Sequence, residues 1–419
     1  MIASLHPISQ GAIRPAILTA LALALSAAPM AGALAASSTS SGNCTYPQSG
    51  SVSLALSSGA SSVLNGYMID VAVLDANNAA SAGVQPVMVD TGSTGLALPS
   101  GKVPASVWNA STQTTQIAYS SSGNYYAGKN VKAAIALPLS GGGYTNTTPV
   151  DIIATSCHCQ VTSNPPTSTA TVDPNNCASY EGTAPVNGKS GTSLANCAKV
   201  SDGFGMIGVG FDRGTSPTTT NNPFLNVPAA AHAGYVFTQQ GIDIGLTQAN
   251  ANGFQTVQLT QVSPQPTTGG TVWNGATACI TLKDSKGTAL GAPLCGSTLV
   301  DTGLDYMFMA FSDSARPAGS VDTVTVNVPQ PGGGTKPVKE TIVTPGLTME
   351  LTVAGTTLNP TLTAQLNPPK VVLPLDQSQA TWIEPSNGNF INTGRHWLSK
   401  VDYLFDQSCG QIGFKQLSQ

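Results

Sequence analysis

The sequence has little charge, and its apolar runs are short. Asp, Glu, Lys and Arg make up 9% of its 419 residues, and the formal net charge is −4. Such a balance argues against a nucleic-acid partner or an electrostatic membrane anchor. Amphipathic helical repeats are also scarce, whereas Gly (44) and Pro (29) separate the apolar runs. This texture is typical of an all-β protein with many turns, and the length suffices for two domains.

The N-terminal residues have the layout of a signal peptide. His6 and Arg14 precede the apolar run PAILTALALAL at residues 15–25, and small residues follow it. We predict that residues 1–36 are a signal peptide and that the Ser-rich residues 37–50 are a tether. The run is short for a bilayer, so an uncleaved anchor is the less favoured alternative. The mature chain is therefore expected to have no membrane span and to be secreted or periplasmic.

The chain carries eight cysteines, an even number. In an exported protein such a set indicates disulfide bonds, although spacing alone does not give the full pairing. Cys279 and Cys295 flank a predicted hairpin, and a bond between them would brace the strand that follows. The run Cys157-His158-Cys159 could instead supply metal ligands. We favour disulfides, because oxidised cysteines do not bind zinc. The full set is Cys44, Cys157, Cys159, Cys177, Cys197, Cys279, Cys295 and Cys409.

Strand-like apolar runs recur along the chain, separated by turn-forming residues. A polar break around residues 245–274 predicts two lobes, at residues 51–245 and 246–419. Between residues 154 and 200 the strand pattern gives way to Pro, Ser, Thr, Asn and Gly with four of the cysteines. We interpret this segment as a long loop, inserted in the first lobe and braced by disulfides.

A short motif occurs once in each half of the chain. Residues 87–95 read VMVDTGSTG and residues 298–305 read TLVDTGLD. Each motif places an aspartate, Asp90 or Asp301, directly after an apolar strand and at the start of a Thr-Gly turn. A strand end fixes the carboxylate, and glycine lets two such turns approach closely. The pattern therefore predicts that the two aspartates face each other.

Two carboxylates held close together cannot both ionise cheaply, so they share one proton, and aspartic proteases are the known example. One carboxylate then acts as a general base on water, while the protonated partner polarises a carbonyl. We predict Asp90 and Asp301 as this catalytic pair. The residues expected to support the pair are Thr91, Gly92, Ser93, Thr302 and Gly303.

At these motifs the sequence resembles the pepsin-like aspartic peptidases, and the resemblance covers most of the mature chain. Residues 117–123 (IAYSSSG) resemble the hairpin flap that closes over substrate, with Tyr119 as the flap tyrosine. Residues 204–210 (FGMIGVG) resemble the segment that packs behind the first catalytic loop. Residues 394–414 resemble the closing strands of that family.

The resemblance implies an all-β, bilobal fold with the active site in the cleft between related lobes. It implies an extended peptide or protein as substrate and water as the nucleophile, with neither cofactor nor metal ion. We also expect a monomer. A Ser-His-Asp hydrolase is disfavoured, because the chain has no Gly-x-Ser-x-Gly elbow.

The second motif departs from the family's pattern in two ways. Ser93 follows the first Asp-Thr-Gly and can donate a hydrogen bond to its aspartate, but Leu304 stands at the matching place. Asn392 and Thr393 replace two apolar residues before a glycine. We therefore expect Asp301 to lack a donor and to be desolvated by the apolar Leu304, and both effects would raise the pKa values of the pair and extend activity toward neutral pH.

The main prediction from the sequence is a secreted aspartic endopeptidase. One alternative is a catalytically weak or inactive protein of the pepsin fold that only binds peptides. Another is a structural cell-surface protein. Cleavage that depends on Asp90 would separate the first interpretation from the other two.

Overall fold

The computed structural model describes most of the chain that follows the predicted signal peptide. The described residues are 44–57, 62–119, 124–163, 176–180, 184–186, 189–200, 203, 205–211, 222–263, 271–329, 335–366, 373–374, 376–385 and 388–417. The predicted signal peptide and the first part of the predicted tether lie outside these ranges.

Strands dominate the described residues. The strands of the first half are β1 (Val52–Leu54), β2 (Met68–Val73), β3 (Val84–Asp90), β4 (Thr94–Pro99), β5 (Thr114–Tyr119), β6 (Asn124–Ala133), β7 (Ile135–Pro138), β8 (Tyr144–Asn146), β9 (Val150–Ser163), β10 (Ala184–Val186), β11 (Lys189–Lys199), β12 (Met206–Val209), β13 (Gly234–Phe237) and β14 (Ile242–Ile244). Those of the second half are β15 (Gln255–Gln258), β16 (Thr277–Lys283), β17 (Leu294–Leu299), β18 (Met307–Ala310), β19 (Val321–Pro329), β20 (Thr335–Val343), β21 (Thr348–Val353), β22 (Thr361–Ala364), β23 (Gln377–Ser378), β24 (Ala380–Ile383), β25 (Phe390–Asn392), β26 (Val401–Asp406) and β27 (Gln411–Gln416).

Helices are short in this part of the chain. The α-helices are α1 (Ser62–Asn65) and α2 (Ala105–Ala110), and single 3-10 turns lie at Ser100–Lys102, Cys177–Tyr180, Pro223–Asn226, Asp313–Ala315 and His396–Ser399. Within the described ranges, no helix has the length and apolar character that crossing a bilayer would need.

The burial of the strands follows from their sequence patterns. In β16 every second side chain is buried, namely Ala278, Ile280 and Leu282, as the period of two in a strand requires. Strand β26 is buried along its whole length, because it lies between β13 and β27 inside a sheet. One large cluster of buried apolar side chains runs through both halves of the chain.

The described strands form three sheets. Strands β2 to β12 make an eleven-stranded sheet, and strands β16 to β25 make a ten-stranded sheet. The third sheet has six strands in the order β1-β14-β13-β26-β27-β15, so it joins both halves of the chain, and we call it the shared sheet. The protein is therefore all-β and two-lobed, which confirms the predicted fold class.

Each of the two large sheets contains one short strand that pairs with its neighbours in the same pattern. In the first lobe β12 runs parallel to β3 and antiparallel to β4. In the second lobe β25 runs parallel to β17 and antiparallel to β18. Because β3 and β17 each lead into one Asp-Thr-Gly motif, the two motifs have equivalent surroundings.

The segment at residues 154–200 differs from the expected loop. Strands β9 and β11 run through it and pair with each other in an antiparallel manner. The disulfides Cys157–Cys177 and Cys159–Cys197 lie within it. The loop interpretation is wrong for the described residues because cross-strand hydrogen bonds and buried cysteines stabilise strands that polar composition alone does not reveal.

The first and the last described segments of the chain meet at the shared sheet. Cys44 forms a disulfide with Cys409, 365 residues further along the chain. Gly50 accepts a backbone hydrogen bond from Ala231, so the later part of the predicted tether packs on the body of the protein. The predicted lobe boundary at residues 245–246 falls between β14 and β15, both of which belong to the shared sheet, and it stays a prediction.

Candidate active site

Asp90 is the last residue of β3, and two donors from its own turn fix its carboxylate. The backbone N–H of Gly92 donates to Oδ1 over 2.6 Å, and the hydroxyl of Ser93 donates to Oδ2 over 2.6 Å. The side chain is 5% exposed. Hydrogen bonds to both oxygens stabilise a charged carboxylate and restrict its rotation.

Asp301 follows β17 and is almost equally buried, at 6% exposure. The backbone N–H of Gly303 donates to Oδ1 over 3.0 Å. The side-chain amide of Asn392 donates from Nδ2 to Oδ2 over 2.6 Å. Each oxygen of Asp301 therefore also accepts a hydrogen bond, as in the first lobe.

The hydrogen bond from Asn392 to Asp301 corrects one expectation from the sequence. Leu304 supplies no hydroxyl, but Asp301 does not lack a donor, because Asn392 takes that role from another strand. Asn392 Oδ1 accepts the backbone N–H of Gly394 over 2.9 Å, which fixes the orientation of the amide. A missing donor therefore gives no reason for the predicted upward pKa shift of the pair, and the part of that shift expected from the apolar Leu304 stays a prediction.

Two threonines join the motifs at their base. The hydroxyl of Thr91 accepts the backbone N–H of Thr302 over 3.0 Å and donates to the Val300 carbonyl over 2.6 Å. The hydroxyl of Thr302 accepts the N–H of Thr91 over 2.9 Å and donates to the Val89 carbonyl over 2.7 Å. Both side chains are buried, so these reciprocal bonds connect the two lobes without competition from water.

Two glycines bring the carboxylates together. A Cβ atom on Gly92 would lie 2.5 Å from each carboxylate oxygen of Asp301. A Cβ atom on Gly303 would lie 2.6 Å from Oδ1 of Asp90. Each aspartate therefore occupies the space that a side chain of the opposite motif would need, and only glycine permits this approach.

Tyr119 ends β5 and pairs with Asn124 at the start of β6, so it lies near the turn of a hairpin. Its side chain and residues 120–123 lie outside the described residues. Its role as the flap tyrosine stays a prediction. Cys279 and Cys295, by contrast, form the predicted disulfide between β16 and β17, directly before Asp301.

A charged group beside the second motif was not predicted from the sequence. The guanidinium of Arg395 donates to the carbonyls of Val63 and Leu64 over 3.0 and 3.1 Å, and it lies 3.6 Å from Asp305. It thereby connects the second lobe with α1. Burial lowers the pKa of Arg395, whereas the charges of Asp305 and Asp301 raise it. No local motif signals these contacts, because α1 lies more than 300 residues earlier in the sequence.

Two groups of residues could offer metal ligands. Cys44, His232, Asp406 and Cys409 bring their ligand atoms within 4.8 Å of one another. The two cysteines form a disulfide, however, so neither offers a thiolate ligand, and His232 lies 2.9 Å from Asp406.

The second group, residues 157–159, also has its side chains in contact with other parts of the protein. Cys157 and Cys159 form disulfides, while the ring of His158 stacks on Tyr126 and contacts Asn124 over 2.9 Å. The disulfide interpretation of this run is therefore confirmed.

Similarity to known proteins is confined to solved structures. No family model matches the sequence, and no curated protein matches it. Among solved structures, the chain is similar to the aspartic proteinase from Irpex lacteus, with 14% identity and a TM-score of 0.48. The match covers 88% of this chain and 97% of that one. The likeness concerns the fold alone, and the description of two lobes rests on the sheets themselves.

Proposed function

We propose that the protein is a secreted aspartic endopeptidase that hydrolyses peptide bonds with a water molecule activated by Asp90 and Asp301. The observation that carries the proposal is the approach of two buried carboxylates, each adjacent to the glycine of the other motif. Two such groups share one proton, because placing two negative charges side by side is unfavourable.

The chemistry needs only this pair. One carboxylate removes a proton from water, whose oxygen bonds to the carbonyl carbon of the scissile peptide. The protonated partner gives its proton to the carbonyl oxygen as the C=O π bond breaks. The carboxyl that took the proton of water then gives it to the amide nitrogen, its partner takes a hydroxyl proton from the tetrahedral intermediate, and the C–N bond breaks as the C=O bond reforms, which yields the acid and the amine. Asp90 and Asp301 exchange protons throughout, and no covalent enzyme intermediate forms.

The substrate we propose is an extended peptide or protein segment. The hairpin of β5 and β6 supplies backbone groups for strand-like hydrogen bonds to such a chain, and pockets for alternate side chains would give specificity. Four disulfides support an exported protein, since such bonds persist in oxidising compartments. We further propose that it acts as a monomer with lobes at residues 51–245 and 246–419.

The second candidate is a catalytically weak or inactive protein of the same fold that binds peptides without cleaving them. Leu304 favours it, because a bulky apolar side chain stands where the first motif has Ser93. A structural cell-surface protein would neither bind nor cleave peptides. The three candidates differ in whether the protein binds peptides and in whether Asp90 and Asp301 cleave them, and one experiment separates them.

The test is incubation of the exported protein with a mixed peptide library from acidic to neutral pH. We expect cleavage, and we expect Asp90→Asn and Asp301→Asn each to lower its rate by about 10²- to 10⁴-fold, the usual contribution of general acid–base catalysis. Binding of a statine-type peptide without cleavage by any variant would contradict the enzyme and support the binding protein.

Matched controls come from two exposed turns. Asp75 and Asp284 each accept backbone N–H groups two and four residues further on, in the hairpins that precede the two motifs. Asp75→Asn and Asp284→Asn should leave the cleavage rate unchanged. A loss of activity in these controls as large as in Asp90→Asn would show that the assay reports folding and not catalysis.

A further inference from the structure

We propose that Asn392 is a positioning residue that keeps Asp301 as the charged member of the pair, so that the shared proton resides on Asp90. This inference rests on the proposed function and adds to it a division of labour between the aspartates. It follows from a difference between the two lobes that the strand registers make visible.

Asn392 occupies the same place in the second lobe as Met206 in the first. Met206 pairs with Met88, two residues before Asp90, and Asn392 pairs with Leu299, two residues before Asp301. In the first lobe the sulfur of Met206 lies 3.4 Å from the Ser93 hydroxyl.

The polar group has therefore changed places between the lobes. The first lobe has a hydroxyl on the aspartate turn and an apolar residue on β12. The second lobe has apolar Leu304 on the aspartate turn and the amide of Asn392 on β25. Both arrangements deliver one donor to Oδ2 of the aspartate.

The two donors are not chemically equivalent. A hydroxyl can donate to a carboxylate or turn and accept from a protonated carboxyl, whereas an amide NH₂ group can only donate. Asp90 faces the hydroxyl of Ser93 and can bind a proton at Oδ2 without losing its partner. A proton on Oδ2 of Asp301 would face an NH₂ group and break that hydrogen bond.

The amide cannot escape this conflict by rotating. A flip would place its oxygen against Asp301 and its NH₂ against the N–H of Gly394, which now donates to it. Asn392 is buried, so water cannot replace either bond. The amide is thus fixed as a donor to Asp301.

The surrounding charges fit the same assignment. Asp301 faces Asp90 across the lobes, and Asp305 and Tyr306 lie on its own loop. Arg395, which follows β25, is a cationic group that interacts with both Asp301 and Asp305. Glu340, on β20, interacts with Tyr306. The cation favours a charged Asp301, and Asp90 makes it unfavourable for both aspartates to ionise; Asp305 opposes a charged Asp301, but its own charge is paired with Arg395 at 3.6 Å.

The roles in the reaction follow. Asp301 accepts the proton of the attacking water at Oδ1, which is bonded to the N–H of Gly303 and keeps a second lone pair. Asp90 gives its proton to the carbonyl oxygen of the substrate. One O–H bond of water, the O–H bond of Asp90 and the π bond of the carbonyl break, and one C–O bond and two new O–H bonds, on Asp301 and on the former carbonyl oxygen, form, so atoms and charges balance.

The test compares pH profiles of cleavage. Active protein carries one proton on the pair, so the acidic limb reports loss of the first proton and the basic limb loss of the second. If Asp301 ionises first, it is charged both when the pair holds one proton and when it holds none. Asn392→Met then destabilises the charged Asp301 equally in these two states. The acidic limb should then move up by about one pH unit, as expected for one hydrogen bond to a charged group, and the basic limb should stay.

Ser93→Ala should do the opposite, because the hydroxyl stabilises Asp90 only when that residue loses the second proton. We expect the basic limb to move up and the acidic limb to stay. The double variant Asn392→Met with Leu304→Ser rebuilds the pair formed by Met206 and Ser93, and it should restore the acidic limb. Movement of the basic limb in Asn392→Met would place the proton on Asp301 and overturn the proposal.

Asn222 offers a matched control for removing a buried asparagine. Its Oδ1 accepts the N–H of Phe224, two residues further on, and its Nδ2 donates to the carbonyl of Val209. Asn222→Leu therefore loses the same kinds of bonds without touching either aspartate. Its profile should keep both limbs where they are, and a shift like that of Asn392→Met would contradict a specific role for Asn392.

A second readout does not depend on cleavage. In wild-type protein with ¹³C-labelled aspartate carboxyl groups, the Asp301 signal should report the first ionisation and the Asp90 signal the second, with Asp90→Asn and Asp301→Asn identifying the signals. The reverse order would overturn the proposal even if Asn392→Met did not fold. If the wild-type protein cleaves nothing, the proposed function fails, while this titration still decides which aspartate carries the proton.

Discussion

Thr91 and Thr302 illustrate how much a single hydroxyl does at this site. Each accepts an N–H from the opposite motif and donates to the carbonyl of the residue directly before the opposite aspartate. Valine has the shape of threonine but neither donates nor accepts hydrogen bonds. Because Thr302 is fully buried, water could not replace the lost partners.

We therefore expect Thr302→Val to lower the free energy of unfolding by about 1–3 kcal/mol for each backbone group left without a partner. Thr302→Ser keeps the hydroxyl and should cost much less. Chemical denaturation of the two variants measures the difference. Equal losses in the two variants would mean that the methyl group, and not the hydroxyl, stabilises the contact between the motifs.

Residues within a continuous motif could be found from the sequence, whereas partners from distant strands could not. Asp90, Ser93 and Asp301 follow from motif and spacing, because the turn that contains each aspartate also contains its first donor. Asn392 lies 91 residues after Asp301, and its role depends on the register of β25. From the sequence it was recognised only as a departure from an apolar pattern.

At the scale of elements, β12 supports the first motif by fitting closely against its turn. Gly208 pairs with Asp90 on one side and with Gly95 on the other. A Cβ atom at this position would lie 2.7 Å from the Ser93 hydroxyl and from its backbone carbonyl carbon. Neighbouring backbone cannot give way at that distance without moving the turn that fixes Asp90.

Gly208→Ala should therefore destabilise the protein by about 1–3 kcal/mol, the usual cost of overpacking, and lower the cleavage rate as well. The control is Gly141→Ala, since a Cβ atom there meets nothing within 4 Å. Thermal unfolding of both variants gives the comparison. A stable Gly208→Ala with unchanged activity would show that the turn has more freedom than its packing indicates.

The long hairpin of β9 and β11 shows why an element can escape prediction. Its residues are rich in Ser, Thr, Asn and Gly, which favour turns when they are considered locally. In the fold, Cys157, Cys159 and Leu194 lie in one buried cluster with Tyr125 of β6. Pairing with β6 and the two disulfides decide the strand conformation, and neither is visible in a local pattern.

At the scale of the whole molecule, one partly buried and one buried histidine make stability depend on pH. Burial lowers the pKa of His158. Burial also lowers the pKa of His396, assisted by the charge of Arg395 and opposed by the carbonyl of Gln377 and by Asp305. Both histidines therefore bind a proton more readily in the unfolded chain, where the pKa of a histidine has its ordinary value of 6.5.

It follows that stability rises with pH through the window below about 6.5 and is lost as the pH falls. Each histidine contributes at most about 1.4 kcal/mol per pH unit. Denaturation of the wild type at pH values on both sides of this window should show the loss, and His158→Gln and His396→Gln should each reduce the slope. A slope that neither substitution changes would assign the loss to carboxyl groups instead.

The lobes were predictable, but the shared sheet was not. A strand pattern and a repeated motif suffice to infer two similar halves. The shared sheet, however, places β13 and β14 beside β26 and β27. Nothing local in the sequence indicates that strands so far apart pair, because their apolar residues would be equally well buried within either lobe.

The disulfide between Cys44 and Cys409 makes a closed covalent ring of residues 44–409. Removal of the predicted signal peptide occurs outside this ring and leaves it intact. A ring that is cut once opens but does not divide. One break in the backbone between Asp90 and Asp301 would therefore leave both aspartates in a single molecule, and only reduction of the sulfur bridge or a second break could separate them.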